Sequence, residues 1–166
     1  MTLEYKNILQ INKFDQENTD VSPEILLNRS SQFKHKGEYT LGVVTLYRCM
    51  ELLLITAREH IAPGFSWNDP GNVSLLANFK ILYKQFTNFQ FVKISSRIGF
   101  IDNLIIIHLI DNNLISENDI KKTICISSLR HQSWLIHGSM IINHEGYRLF
   151  YDELFPIIKN IQSSIK

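Results

Sequence analysis

The sequence has few cysteines, few glycines and almost no net charge, and each shortage excludes a class of protein. Cys49 and Cys125 stand alone without paired spacing, which excludes a disulfide or cysteine-rich metal framework. We expect both to be small core residues in a reducing compartment. The seven glycines form no phosphate-binding loop. The formal net charge is +1, so any site for nucleic acid must be a local patch.

Long hydrophobic runs are also missing. The first ten residues lack the apolar core of a signal peptide, and the most apolar run, 104–110, is too short to span a bilayer and contains His108. The 166 residues are 45% apolar and 20% charged, which is ordinary for one soluble domain with a sizeable core. We therefore expect a cytoplasmic protein that contacts no membrane.

Helix signals follow one another along the chain and predict an all-α fold. Residues 1–21 show no clear period, so we expect a poorly defined N-terminal segment before a helical domain at 22–166. The first two helices form an antiparallel hairpin about Lys36-Gly37. Phe65 and Trp67 in the following loop need cover from the body or from a partner. The predicted helices cover about 22–37, 38–60, 72–87, a buried stretch within 91–111, 116–137 and 144–163.

The segment that offers chemistry is 130–138, which reads Arg-His-Gln-Ser-Trp-Leu-Ile-His-Gly. On a helix Arg130 and His137 share one face, about 10 Å apart along the axis, with Ser133 on the same side. Arginine offers a permanent charge and a planar donor fork, and histidine moves protons near neutral pH. The pair is typical of a phosphate-handling site. The other interpretation, an exposed polar helix face, stays open on these residues alone.

Other catalytic arrangements find less support. His131, Ser133 and His137 lack an acid to orient a histidine, which disfavours a hydrolase triad. Four further histidines are expected to be structural or on the surface: His35, His60, His108 and His144. No metal-ligand spacing exists, so we expect no metal and no cofactor. If a twofold axis brought two copies of the segment together, the natural reaction would be attack by an RNA 2′-OH on its own phosphate.

Segment 130–138 resembles the HEPN superfamily signature, in which a polar residue and a short spacer separate arginine from histidine. A second block supports the resemblance. Residues 29–39 and 43–52 are similar to the "gly-x-tyr, then Leu-Tyr-Arg-x-x-Glu" helix in HEPN domains of type III CRISPR-associated ancillary proteins. Order and spacing agree across about residues 22–163.

The resemblance implies a HEPN-like helical bundle, usually dimeric, with metal-independent endoribonuclease activity in CRISPR-linked or other anti-phage defence. Arg130 and His137 then fall on the catalytic pair, His131 on the polar slot beside it and Ser133 on an internal polar position. A sensor or effector protein of the same system is an expected partner. The chain shows no resemblance to a nucleotide-sensing CARF domain, and Ser139 stands where antitoxin-paired HEPN toxins tend to carry tyrosine.

Three alternatives to the dimeric ribonuclease remain on the sequence. The first is a catalytically inert HEPN scaffold that binds RNA or a partner protein. The second is a HEPN toxin of a toxin-antitoxin pair. The third is a small nucleotide-binding domain served by a nucleotidyltransferase. The scaffold reading predicts a basic RNA-binding groove from Lys80, Lys84, Lys121, Lys122 and Arg130.

Overall fold

A computed structural model describes residues 21–88, 98–132 and 141–165, and this part of the chain is helical, which confirms the predicted all-α class. The expectation for residues 1–20 lies outside the described part. A 3-10 turn at Pro70–Asn72 precedes the third helix. The helices are α1 (Pro23–His35), α2 (Tyr39–Ile61), α3 (Val73–Thr87), α4 (Phe100–Ile110), α5 (Glu117–Gln132) and α6 (His144–Ser164).

The α1–α2 hairpin forms as predicted, with its turn at Lys36-Gly37. Ser22 caps α1 by accepting a hydrogen bond from the Ile25 amide (3.4 Å). The helix ends at His35, and Gly37 adopts a left-handed backbone (φ +75°) that ends the helical turn at little steric cost. The Glu38 amide then donates to the Phe33 carbonyl (2.9 Å), and α2 begins at Tyr39.

Helix α2 is the centre of the domain because α1, α4 and α6 all pack against it. Its length and apolar composition match those of a membrane span, yet 61% of that apolar stretch is buried inside the protein, as expected of a core helix. Each fully buried aliphatic side chain contributes about 1.5–3 kcal/mol of transfer free energy. The fully buried positions on α2 are Val43, Leu46, Cys49, Met50, Leu54 and Ala57.

The loop between α2 and α3 folds back onto the body, as its aromatic residues predicted. Trp67 is 7% exposed and lies 4.6 Å from the ring of Phe79, and Phe65 meets Trp67 edge-on. Phe79, the fully buried residue of α3, anchors that helix to the core. The loop is therefore part of the packed body.

Helices α4 and α5 confirm two local predictions. The run 104–107 is fully buried in α4, and Nδ1 of His108 hydrogen-bonds to the Ile115 carbonyl (2.8 Å), as expected of a structural histidine. The capping box at the start of α5 is present. The Asp119 amide donates to Ser116 Oγ (3.2 Å), and the Ser116 amide donates to Asp119 Oδ2 (2.9 Å). The predicted continuation of α5 through 133–137 lies outside the described residues.

The two cysteines differ, and the expectation of two core residues is wrong for one of them. Cys49 is fully buried on α2, and its thiol donates to the Pro23 carbonyl (3.2 Å). Cys125 is exposed on α5. Helix α5 buries one side only, carrying Thr123 and Ile126, and position 125 falls on the other side.

Candidate functional site

The structure places one end of segment 130–138. Arg130 and His131 lie in the last turn of α5, whose described part ends at Gln132. Ser133 and His137 lie outside the described residues, as do the side chains of Arg130 and His131. The predicted Arg130–His137 pairing therefore stays a prediction, and the structure shows the helical frame on both sides of it.

Two contacts show how α5 and α6 are oriented. Nδ2 of Asn160 donates to the Leu114 carbonyl (2.9 Å), just before α5, and Lys122 pairs with Glu153 (2.8 Å) one third of the way along it. Moving forward along α5 thus means moving backward along α6, so the helices are antiparallel. Eight residues beyond Lys122, about 12 Å further, Arg130 lies level with the first turn of α6.

The first turn of α6 meets the first turn of α2. The Ile142 amide donates to Thr40 Oγ1 (3.1 Å), which fixes the chain just before α6. Asn143 caps α6 by accepting from the Gly146 amide (2.9 Å). The His144 ring then packs edge-on against Tyr39, with 5.4 Å between centroids. We call this meeting of the first turns of α2 and α6, level with the end of α5, the site end.

A buried polar cluster at the site end joins three helices. Ser30 Oγ on α1 donates to the Gly42 carbonyl on α2 (2.8 Å) and lies 3.1 Å from the Tyr147 hydroxyl on α6. Because serine has one proton to give, the Tyr147 hydroxyl must donate to Ser30. Burial raises the pKa of Tyr147. The phenol is therefore protonated at neutral pH.

Gly42 is required by this cluster. A Cβ atom at this position would lie 2.6 Å from Cε2 of Tyr147, closer than real contacts allow. The sequence places Ser30 and Tyr147 in separate helices and does not predict their hydrogen bond. The available signal was Gly42 itself, because a glycine inside the periodic pattern of α2 indicates that another element approaches the helix backbone closely.

Two histidines that the sequence analysis assigned to structure or surface lie near the site end. His144 is exposed beside Tyr39, and His35 is exposed at the end of α1. Nδ1 of His35 donates a hydrogen bond to the Ser31 carbonyl (2.7 Å). Both histidines are consistent with the predicted surface role.

The four candidate RNA-binding lysines lie on two helices. Lys80 and Lys84 are exposed on α3. Lys121 and Lys122 lie on α5 and both have acidic partners, Glu117 on α5 and Glu153 on α6. Lys121 lies 3.6 Å from Glu117, and the hydrogen bond and charge of Glu153 raise the pKa of Lys122. These acids offset part of the positive charge that a phosphate would meet, so the lysines of α5 contribute less than their number suggests.

Arg48 pairs with Glu51 (3.1 Å) on a partly exposed side of α2, a local ion pair worth about 0.2–0.5 kcal/mol. Within 21–88, 98–132 and 141–165, no group of three His, Cys, Asp or Glu side chains is placed to hold a metal ion. The described part thus contributes the imidazoles of His35 and His144, the phenol of Tyr147 and the end of α5 to this region.

The chain matches no protein-family model, no curated protein and no solved structure.

Proposed function

We propose that the protein is a metal-independent endoribonuclease of the HEPN type, which cleaves single-stranded RNA as a homodimer. We place it in the cytoplasm, in CRISPR-linked or other anti-phage defence beside a sensor or effector protein. The observation that carries the proposal is the site end. The two sequence blocks that resemble HEPN domains are about 90 residues apart, yet Ser30 and Tyr39 from one block contact α6 at the level of Arg130 from the other.

The proposed chemistry needs no metal. The 2′-oxygen of a ribose attacks the adjacent phosphorus, and the bond to the 5′-oxygen of the next nucleotide breaks. The products are a 2′,3′-cyclic phosphate and a 5′-hydroxyl. His137 accepts the proton of the 2′-hydroxyl, and His137 of the second copy returns a proton to the leaving oxygen. Arg130 from each copy binds the non-bridging oxygens, on which negative charge develops.

The frame around the segment suits this chemistry because it is rigid. Thr40 fixes the backbone at Ile142, and the Ser30–Tyr147 bond fixes α6 against α1. A site that must hold two arginines and two histidines around one phosphate depends on supports of this kind.

The direct test measures cleavage of a labelled single-stranded RNA in EDTA. Arg130→Ala and His137→Ala should each lower the rate by at least about a hundredfold, in keeping with the loss of a charge-stabilising or acid–base group. His60→Ala is the matched control, since His60 is exposed at the far end of α2. Circular dichroism of each variant establishes that the fold is kept. Rates equal to wild type in both variants would overturn the proposal.

Two further measurements test the details. A substrate with a single 2′-deoxyribose at the cleaved position should remain intact, because the attacking oxygen is gone. Mixed dimers of Arg130→Ala and His137→Ala chains should be more active than either variant alone, since each cleft then keeps one arginine and one histidine. A protein that cleaves the deoxy-substituted strand, or that cleaves as a monomer, does not use this mechanism.

A further inference from the structure

A strip of stacked aromatic rings on α6 serves no purpose in the proposed reaction. Tyr151 stacks on Tyr147, with 6.0 Å between centroids, and on Phe155, with 4.7 Å between centroids and 18° between planes. The three rings recur every four residues and so lie along one face of the helix. Tyr147 is buried, whereas Tyr151 and Phe155 are partly exposed. The strip thus begins in the core at the site end and reaches the surface at Tyr151 and Phe155.

Each exposed ring is covered by a lysine. The Lys34 ammonium lies 5.9 Å from the centre of the Tyr151 ring and 5.8 Å from that of Tyr147, and the Lys159 ammonium lies 5.4 Å from that of Phe155. Both lysines are exposed. The two ammonium groups are about 10 Å apart along α6, too far to hold one phosphate group together.

The strip lies between α1 and α6, which run antiparallel along α2. Lys34 near the end of α1 reaches Tyr147 and Tyr151, and Glu24 at its start lies 3.5 Å from Gln162 near the end of α6. Moving from Tyr147 to Phe155 along α6 therefore leads away from the site end. Asp152 lies close to the strip, but its carboxylate is paired with Arg148 (3.7 Å).

We propose that Lys34, Tyr151, Phe155 and Lys159 bind single-stranded RNA and lead it to the Arg130–His137 site. Bases stack on the aromatic rings, and the two ammonium groups leave the ring faces to contact successive phosphates. Alternating aromatic and cationic groups are what sequence-tolerant binding of a single strand requires. The inference rests on the proposed function for its choice of RNA, but the binding does not depend on cleavage.

The test measures binding of a short fluorescein-labelled oligoadenylate by anisotropy, with His137→Ala as the parent protein so that the probe is not cut. Phe155→Leu keeps an apolar side chain and removes the stacking surface, and it should weaken binding about tenfold. Lys34→Gln and Lys159→Gln should each lower the slope of log affinity against log salt by about 0.7. The 2′-deoxy probe should bind comparably, because the strip does not contact the 2′-hydroxyl.

Two controls separate the strip from general effects. Lys36→Gln removes an equal charge from the same end of α1, and Leu149→Ala removes an exposed apolar side chain from α6. Each should change affinity by less than about twofold, since a screened charge or an apolar group off the strip makes no contact. If Phe155→Leu and the lysine variants bind like these controls, the strip is a structural cover and the inference is wrong.

The result is independent of the test of catalysis. Strip-dependent binding by a protein that never cleaves RNA would support this inference and overturn the proposed function. If cleavage is lost in His137→Ala but Phe155→Leu has no effect on RNA binding, the proposed function is supported and this inference is overturned. If Phe155→Leu instead lowers self-association measured by sedimentation, the strip is an interface between copies of the chain and the RNA inference is overturned.

Discussion

The two ends of α2 are fixed by different kinds of contact. At the site end, hydrogen bonds join three helices: Ser30 to Gly42, Tyr147 to Ser30, and Ile142 to Thr40. At the other end, the loop after Ile61 is fixed by packing of Trp67 on Phe79. Hydrogen bonds define both distance and direction, whereas apolar burial is non-directional and scales with area. The loop end should therefore supply more stability, and the site end more positional accuracy.

Truncation of Trp67 should give the largest loss of stability. Trp67→Ala removes a buried indole and should lower the free energy of unfolding by about 3–5 kcal/mol. RNA cleavage per folded molecule should be unchanged, because Trp67 lies at the end of α2 remote from Arg130. Urea unfolding and cleavage rates below the unfolding transition measure the two effects. If Trp67→Ala does not fold, Trp67→Phe provides the milder test. If Trp67→Ala keeps full stability, or if it folds fully but cleaves RNA slowly, the loop end does not supply mainly stability and the site end mainly positional accuracy.

Gly42→Ala should disturb the site end with a smaller energetic effect. The new methyl group meets the Tyr147 ring at 2.6 Å, and overpacking costs about 1–3 kcal/mol, partly offset by about 1 kcal/mol of helix propensity. We expect a net loss of up to about 2 kcal/mol together with a clear loss of RNA cleavage, since the displaced ring lies on α6 beside the site.

The matched control for Gly42→Ala is Gly146→Ala, which gains the same helix propensity. There the new methyl group would meet one side-chain methyl group, Cγ2 of Ile142, at 2.9 Å and would lie 3.5 Å from Oδ1 of Asn143, whereas at Gly42 it would meet two atoms of the Tyr147 ring at 2.6 and 3.0 Å. Chemical denaturation of both variants and their cleavage rates give the comparison. Equal behaviour of the two alanine variants would mean that the contact between Gly42 and Tyr147 has no special role.

Much of the helical frame followed from local signals. Caps at Ser22, Ser116 and Asn143, and apolar positions at steps of three and four, placed the helices within a few residues. These signals depend on neighbouring residues, so the sequence alone contains them. The β-branched run 104–107 is also compatible with a buried strand, but the sequence signals no second strand to pair with it, which favours the helix that the structure has.

Contacts between distant residues could not be predicted in the same way. The bond between Ser30 and Tyr147 joins residues 117 positions apart, and neither residue differs locally from an ordinary packing residue. The exposure of Cys125 depends on which side of α5 faces the core, and the weak apolar pattern of that helix left this open. For the candidate site, the chemistry of segment 130–138 came from sequence, whereas the contact between Tyr39 and His144 at the start of α6 required the fold.

Thr40→Val should have a smaller effect on stability than either change above. Valine has nearly the same shape as threonine, but it leaves the Ile142 amide without its acceptor. The loss of one such bond lowers stability by about 1 kcal/mol. Because Ile142 lies only four residues after the end of the site segment, we expect cleavage to fall by more than this small loss of stability would suggest. Thr56→Val on the same helix is the control, since the Thr56 hydroxyl bonds only to the Leu52 carbonyl of its own helix (2.9 Å). Indistinguishable cleavage rates for the two valine variants would argue against positional control by Thr40.

The smallest effect concerns Cys49, midway between the two ends of α2. Burial raises the pKa of its thiol to about 12, the charge of Glu24 adds to the rise and that of Lys159 opposes it. A thiol whose pKa is higher in the folded state than its usual value near 9 favours folding fully below pH 9. As the pH rises from 9 toward 12, the unfolded state loses its proton first, so stability falls.

This alkaline loss should be smaller in Cys49→Ala than in wild type when the free energy of unfolding is measured at pH 8 and pH 10. A residual loss is expected because burial also raises the pKa values of Tyr83, Tyr147 and Tyr151. Thiol labelling at pH 8 gives an independent measure, since the exposed Cys125 should react at once and Cys49 only after unfolding. Rapid labelling of both thiols in the folded protein would mean that the middle of α2 opens readily. In that case its two ends could not be treated as parts of one rigid element, and the contrast between them would have to be explained by local unfolding instead.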